Sequence, residues 1–425
     1  MNKIEQLLQT LAPDGVGFKT LEEVFEIRNG YTPSKNNPEF WKNGTIPWFR
    51  MEDIRENGRI LKDSIQHITP KALKGKKLFP KNSIIISTTA TIGEHALLIV
   101  ESLANQQFTF LSKKANCDIA LDMKFFFYQC FLLGEWCKNN TNVSGFASVD
   151  MTAFKKYKFP IPPLEIQQEI VKILDAFTEL NTELNTELNT ELKARKKQYE
   201  YYRNMLLDFN DINQSHKDAK EKLAHKTYPK RLKALLQTLA PDGVGFRKLG
   251  EVCEIIRGKR VTKKEILDKG KYPVVSGGIG FMGYLNEYNR EENTITIAQY
   301  GTAGFVNWQN QKFWANDVCF SVIPNETLII NRYLYYVLTN MQNYLYSISN
   351  RSAIPYSISS NNIMQITIPI PPLEIQQEIV KILDAFTELN TELNTELNTE
   401  LKARKKQYEY YREKLLTFKA LQNKG

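Results

Sequence analysis

From residue 164 onward the chain keeps one rhythm. Apolar side chains recur at Ile166, Ile170, Ile173, Leu174 and Phe177, the three-and-four spacing of one face of an α-helix. Leu180, Leu184, Leu188 and Leu192 then come at strict intervals of four. Pro162 and Pro163 block backward extension, because proline lacks the donor that an inner helical turn requires. Neither Gly nor Pro interrupts the run before Arg203. The pattern predicts a helix of about 45 residues, roughly 65–70 Å long. Four residues turn through about 400°, so the leucine stripe advances about 40° with each tetrad. That predicts a short apolar stripe of right-handed sense, not an extended left-handed coiled coil.

The stretches outside this helix read differently. Residues 19–158 mix β-rich runs ("SIIISTTATIG", "QFTFLS") with a helical stretch ("LDMKFFFYQCFLL"). Residues 247–367 do the same ("KYPVVSGGIGFMGYL", "TITIAQYGTAGFVNW", then "NRYLYYVLTNM"). The fold class is α/β (α+β), with Gly-, Ser- and Asn-rich loops of the kind that carry recognition.

The chain is written twice. "PIPPLEIQQEIVKILDAFTELNTELNTELNTELKARKKQYEYYR" at 160–203 recurs unchanged at 369–412, an offset of 209. "LLQTLAPDGVGF" at 7–18 recurs at 235–246, an offset of 228, so the interval between blocks is 19 residues shorter in the second copy (228 − 209). Between the blocks little similarity survives beyond "KTLEEVFEI" beside "RKLGEVCEI". The expected organisation is a helical lead-in at 1–18, a globular segment at 19–158 and a conserved helix region at 159–212. A linker with the second lead-in occupies 213–246, then come a globular segment at 247–367 and the second helix region at 368–425. Drift alone would not spare 44 consecutive residues and erase their neighbours. A duplicated frame holding unlike modules suits a protein that reads two different things at a fixed separation. The identical helices can pair antiparallel about a local pseudo-twofold axis, with Leu180, Leu184, Leu188 and Leu192 facing Leu389, Leu393, Leu397 and Leu401. Homodimerisation through the same stripes is the other arrangement open to them.

Composition narrows the class. At 425 residues, 42% hydrophobic and 11% aromatic, the chain is long and apolar enough for several buried cores. Its net charge of +9 favours a polyanionic partner. No apolar run is long enough to span a bilayer, and "MNKIEQLLQTLAPDG" lacks a signal-peptide core, so a cytoplasmic protein with no membrane partner is expected. Cys117, Cys130, Cys137, Cys253 and Cys319 are scattered and never form C-x-x-C, which points to reduced thiols. His67, His95, His216 and His225 make no metal-ligand pair. "KARKKQYEYYR" closes each helix with basic and aromatic side chains; these either hold phosphates or a partner, or form a solvated end favourable to the helix dipole.

Apparent catalytic signals fail on context. "GIGFMG" (Gly278–Gly283) has the G-x-G-x-x-G form, but the residues after it read as a turn into a strand, without the helix N-terminus that a pyrophosphate requires. Glu191–Lys193 has the E-x-K form of nuclease sites but lies inside the tetrad helix. An N-P-P-[FY] motif and a P-loop are both missing from the sequence. Three readings stand: a sequence-specific DNA-binding protein without chemistry of its own, a standalone DNA-modifying enzyme, and a structural coiled-coil adaptor. Methyl transfer or cleavage by the chain alone would mark the second. A bipartite footprint would exclude the third.

The combination of both "PIPPLEIQQEIVKIL" starts, the tetrads, the "KARKKQYEYYR" ends and the unlike modules resembles the specificity subunit of type I restriction-modification enzymes. "GYTPSKNNPEFWKNGTIPWFRMEDI" (Gly30–Ile54), "STTATIGEHAL" (Ser87–Leu97), "YPVVSGGIGFMGY" (Tyr272–Tyr284) and "AQYGTAGFV" (Ala298–Val306) are similar to pieces of that family, and the likeness spans nearly the whole chain. It implies two target recognition domains, each reading one half of a bipartite double-stranded DNA site. It also implies helices that set the gap and dock two methyltransferase subunits, with restriction and translocase subunits joining through the complex. The resemblance gives the chain no catalytic site, no metal and no cofactor of its own; S-adenosylmethionine, ATP and Mg are expected on the partner subunits.

Groove reading calls for Arg, Lys, Asn, Gln, Ser and Thr at base edges and phosphates. In the first segment the candidates are Tyr31, Thr32, Ser34, Lys35, Thr88, Thr89, Thr91, Ser144 and Ser148. Gln106 and Gln107 either pair with adenine or form a buried strand edge. In the second, Arg257, Lys259, Arg260, Lys263 and Lys264 suit phosphates. Ser276, Tyr284, Gln299, Tyr300, Thr302, Arg351, Ser352 and Tyr356 suit bases or backbone.

Overall fold

The computed structural model describes residues 2–142, 147–209, 228–352 and 354–421. It resolves into two compact units, Met1–Thr186 with Thr399–Gly425, and Glu187–Asn398.

In the first unit a five-stranded sheet is ordered Phe25–Asn29, Phe108–Lys113, Ser83–Ser87, His95–Leu98, Ile60–Leu61. Neighbours are antiparallel except the last pair, which is parallel. A smaller sheet is ordered His67–Ile68, Ile46–Phe49, Leu103–Ala104. Helix Met123–Asn139 is started by Asp122, whose carboxylate accepts from the backbone of Lys124 and Phe125. Its Phe125, Phe126 and Cys130 share one buried cluster with Ile84, Ile86 and Leu111 of the large sheet.

The second unit repeats this plan. Its large sheet runs Cys253–Arg257, Cys319–Pro324, Thr294–Ala298, Val306–Gln309, and its small one Tyr284–Leu285, Tyr272–Val275, Trp314–Ala315. Helix Asn331–Asn340 packs on the large sheet. Strand for strand the order is that of the first unit, except that Ile60–Leu61 has no counterpart among the described residues. The modules that look unlike in sequence are therefore alike in fold. The backbone contacts coincide as well. Gly30 N donates to Phe108 O and Tyr31 N to Ala104 O; Gly258 N donates to Cys319 O and Lys259 N to Ala315 O. A Cβ on Gly30 would lie 2.1 Å from Asn105 O, and one on Gly258 would lie 2.0 Å from Asn316 O. Only glycine permits that approach.

The conserved block begins as a strand, not as helix. Lys158–Ile161 pairs antiparallel with Gly17–Thr20, and Thr367–Ile370 with Gly245–Lys248. The helices themselves are Leu164–Leu207 and Leu373–Leu416, each 44 residues long. Each helix starts in one unit and ends in the other. The first unit's core takes Ile166, Ile170 and Leu174 from the start of the first helix and Leu415 and Leu416 from the end of the second. The second unit takes Ile375, Ile379 and Leu383 together with Leu206 and Leu207. Within each unit the two helix segments run antiparallel. Phe177 stacks on Tyr411 at 6.0 Å in the first, and Tyr202 on Phe386 at 5.2 Å in the second.

The tetrad leucines are not a buried seam. Leu180 is 52% exposed and Leu389 51%, while Leu184, Leu188, Leu192, Leu393, Leu397 and Leu401 are half-buried. A stripe that drifts by about 40° per tetrad turns progressively round the helix, and the ring contacts and the shared aliphatic cores join the segments near their ends. Threonines close the polar face locally: Thr178, Thr182 and Thr186 donate to the carbonyls of Leu174, Thr178 and Thr182, each four residues back. The second helix repeats the ladder at Thr387, Thr391 and Thr395.

Module and helix are locked by two matched sockets. Gln167 accepts from Asp122 N (2.8 Å) and donates to Ala120 O and Pro162 O. Gln376 accepts from Ile330 N (2.7 Å) and donates to Leu328 O and Pro371 O. Asp175 receives Lys124 Nζ (2.6 Å) and the Tyr128 hydroxyl (2.7 Å). Asp384 receives Arg332 Nε (2.8 Å) and the Tyr336 hydroxyl. Burial and the adjoining carboxylate push both tyrosine hydroxyls well above their ordinary range, so they stay protonated donors.

His95 opens a core strand at 1% exposure, with the rings of Phe131 and Phe127 at 4.5 and 5.4 Å. Burial, reinforced by the charges of Arg59 and Arg412, pulls its imidazole down to about 3. In the unfolded chain the value is about 6.5. The unfolded state thus binds the extra proton, and stability falls as pH drops from about 6.5 toward 3. At pH 5 the loss is about 2 kcal/mol. Replacing His95 with Leu removes this pH dependence, so the wild-type urea midpoint should fall relative to that of His95→Leu between pH 7.5 and pH 5. A constant difference would contradict the assignment.

Candidate nucleic-acid interface

In the first unit, four strands of the two sheets end at one edge. The segments leaving them, Gly30–Lys35, Arg50–Met51, Thr88–Thr91 and Asn105–Gln107, surround an open groove of about 910 Å³. The sequence candidates Thr32, Lys35, Thr89, Gln106 and Gln107 line it together. Trp41, Arg50 and Asn105, which are not among those candidates, line it too. Two indoles brace the wall: Trp48 Nε1 donates to Tyr31 O and Trp41 Nε1 to Ser34 O, both at 2.9 Å.

Not every candidate is free to meet a ligand. Thr88 is 6% exposed, and its hydroxyl bonds that of Thr109 at 2.9 Å. It points inward because the strand Ser83–Ser87 is covered on both faces. Gln107 is spent holding the turn before it, donating to Thr91 Oγ1 (2.9 Å) and Thr89 O. That also occupies Thr91 as acceptor. Gln106 is exposed, and its carbonyl accepts from the Thr32 hydroxyl. Tyr31 lies under Lys76 Nζ at 5.0 Å. Ser34 and Lys35 are exposed. Ser148 pairs with Asn142 and bridges to Thr89, which ties that hairpin to the groove. Ser144 lies outside the described residues.

The second unit presents the same strand ends with other side chains. Gly258–Arg260 stands where Gly30–Thr32 stands, Ser276 takes the place of Arg50, Gln299–Thr302 that of Thr88–Thr91, and Asn316–Val318 that of Asn105–Gln107. The pairing rests on matched contacts, such as Asn105 N to Phe49 O beside Asn316 N to Val275 O. Lys259 and Arg260 are exposed, with Lys259 Nζ 6.0 Å from the Trp314 ring centroid. Lys263 and Lys264 are exposed on the next turn. Arg257 is partly committed, donating to Asp317 O at 2.7 Å. The Thr302 hydroxyl is spent on Gly277 O, also at 2.7 Å. Tyr300 bridges to Ser357, and Gly301 N donates to Tyr356 O, so the segment with Arg351, Ser352 and Tyr356 joins this edge. Tyr284 lies on the small sheet with its ring 6.3 Å from that of Phe281. Gln299 has a buried, unpaired Oε1. Ile279 and Phe281, exposed by 67% and 47% in the glycine loop, join the edge without any polar signal to mark them in the sequence.

The rejected signals find ordinary places. Gly278–Gly283 leads into strand Tyr284–Leu285, without a helix. Glu191 pairs with Arg195 one turn on, at 2.6 Å. No helix among the described residues is long and apolar enough to cross a membrane.

The family model for the type I restriction modification DNA specificity domain matches residues 13–194 and 241–403. The chain is 41% identical over 404 residues to the type I restriction enzyme EcoprrI specificity subunit of Escherichia coli, covering 92% of each. It is 34% identical over 203 residues to the EcoR124I/EcoR124II specificity subunit of Escherichia coli, 46% of this chain and 48% of that one. A chain from a structure describing complex assembly and conformational transition of the type I R-M system superposes with a TM-score of 0.69 at 17% identity, covering 95% and 97% of the two. That likeness shows the fold. With the duplicated frame and the paired sheet edges, these matches establish that the chain belongs to the family of type I restriction-modification DNA specificity subunits.

Proposed function

We propose that each unit's strand-end edge reads one half of a bipartite double-stranded DNA site. The long helices set the number of base pairs between the halves and dock two methyltransferase subunits. Restriction and translocase subunits join through the complex, and catalysis, with its S-adenosylmethionine, ATP and Mg, resides on those partners. One observation carries the reading: two modules of the same fold and matching backbone contacts bear different polar side chains at equivalent positions, on helices identical in sequence over 164–203 and 373–412. A duplicated enzyme would keep its reacting groups in both copies. A duplicated reader keeps its scaffold and varies its contacts, because sequence is read by base-edge contacts while phosphate contacts only position the protein.

The tetrads suit a spacer. One tetrad adds about 6 Å of helix, against about 3.4 Å per base-pair step, and the threonine ladder closes each tetrad on the one before it. Deleting one tetrad from both helices, co-expressing the chain with its cognate methyltransferase subunit and mapping methylation genome-wide should give a shorter gap between two unchanged half-sites. Altered half-sites with an unaltered gap would overturn the spacer role.

Lys259 and Arg260 are assigned to phosphates. Replacing both with Ala should weaken DNA binding roughly equally across sequences and reduce the slope of log K against log salt by about 2, at about 0.9 per phosphate. An unchanged slope would remove this loop from the interface.

A further inference from the structure

We infer that Arg50 reads a guanine in the half-site of the first unit, an assignment that rests on the DNA-reading function proposed above. Its backbone is fixed from both sides. Arg50 N donates to Asp53 Oδ2 at 2.6 Å, and the other oxygen of that fully buried carboxylate accepts from Ile65 N at 2.6 Å. The side chain is held without being used. Its guanidinium carbon stands 5.8 Å from the Trp48 ring centroid, and Nε makes no hydrogen bond. Its ionic neighbour is Glu52, at 3.9 Å, a partly exposed pairing of little strength. Arg59 in the same unit is consumed by Glu94 and His95 O.

An arginine fork anchored at its root, lining a groove and still owning its donors suits the two acceptors O6 and N7 on the major-groove edge of guanine. Burial favours a base over a phosphate. The Arg50 side chain is 30% exposed, whereas Lys35 is exposed on the same groove. The equivalent position in the second unit is Ser276, with the glycine loop directly after it, so this reading belongs to one half-site alone.

The test uses the full chain assembled with its methyltransferase subunit. Methylation is mapped genome-wide for Arg50→Lys and Arg50→Ala, and DNA binding is measured across a salt series. Arg50→Ala should relax one guanine-containing position by about 5- to 150-fold, leaving the other half-site, the gap and the salt slope as in wild type. Arg50→Lys should relax the same position by less, because an ammonium offers no fork. If Arg50→Lys, which keeps charge and stem, leaves the position fully specific, the assignment fails. A uniform loss over all sequences with a slope lower by about one would make Arg50 a phosphate contact and also overturn it. A wild-type complex with no bipartite motif would defeat the proposed function itself, a result separable from either variant's.

Discussion

Everything else in this protein depends on how a variable module is fastened to an invariant helix. The fastening is polar and specific. A glutamine one turn into each helix satisfies the backbone at the start of the module's own helix, and an aspartate two turns on takes a cation and a tyrosine hydroxyl from it. Leaving such groups unsatisfied costs about 1–3 kcal/mol each, a large fraction of the stability of a domain. The helix offers the same Gln and Asp in both copies, so each module must supply matching partners. One supplies Lys124 and Tyr128, the other Arg332 and Tyr336. The requirement fixes the module's helix and, through it, the sheet on which that helix packs.

Once the module is held, the opposite end is free to vary. The groove segments leave from strand ends, where backbone bonds are already settled by the ladders, so side chains can change without disturbing the core. What cannot change there is backbone clearance. Gly30 and Gly258 sit where a methyl group would strike a carbonyl about 2 Å away, and both survive in modules that share little else. Side chains have diverged throughout the modules, in core strands such as Ser83–Ser87 and Thr294–Ala298 as well as at the edge, while pairing order and these backbone approaches are kept. The helix Met51–Asn57 in one unit and the loop Gly277–Gly283 in the other are the largest departure from that rule. Both begin two residues after equivalent strands.

The long helices were legible because a 44-residue run free of Gly and Pro has one outcome, and the duplication was legible by inspection. The common fold of the modules was not, since it resides in pairing order and backbone contacts that unlike side chains can satisfy. The groove was half legible. "STTAT" offers three threonines in a row of small polar residues, and sequence does not say that Thr88 turns inward to Thr109 while Thr89 lines the groove. Arg50 lay inside a family-like stretch, yet it gained meaning only when its place was matched to Ser276 across two different sequences. The drift of the leucine stripe follows from the period of four, whereas the degree of cover does not: six of the eight leucines are half-buried and Leu180 and Leu389 are exposed.

That rotation bears on why such a repeat is used at all. A heptad seam gains stability from interlocking at every turn, so inserting four residues would break its register. Here ring pairs join the helix segments near their ends, Phe177 with Tyr411 and Phe386 with Tyr202. The same number of residues, 25, separates the members on each helix (202 − 177 and 411 − 386). Equal changes in both helices preserve that match, whereas a change in one alone destroys it. Thr182, Thr186, Thr391 and Thr395 close their hydroxyls on carbonyls four residues back, so this hydrogen bonding is local and travels with the tetrad when the repeat number changes.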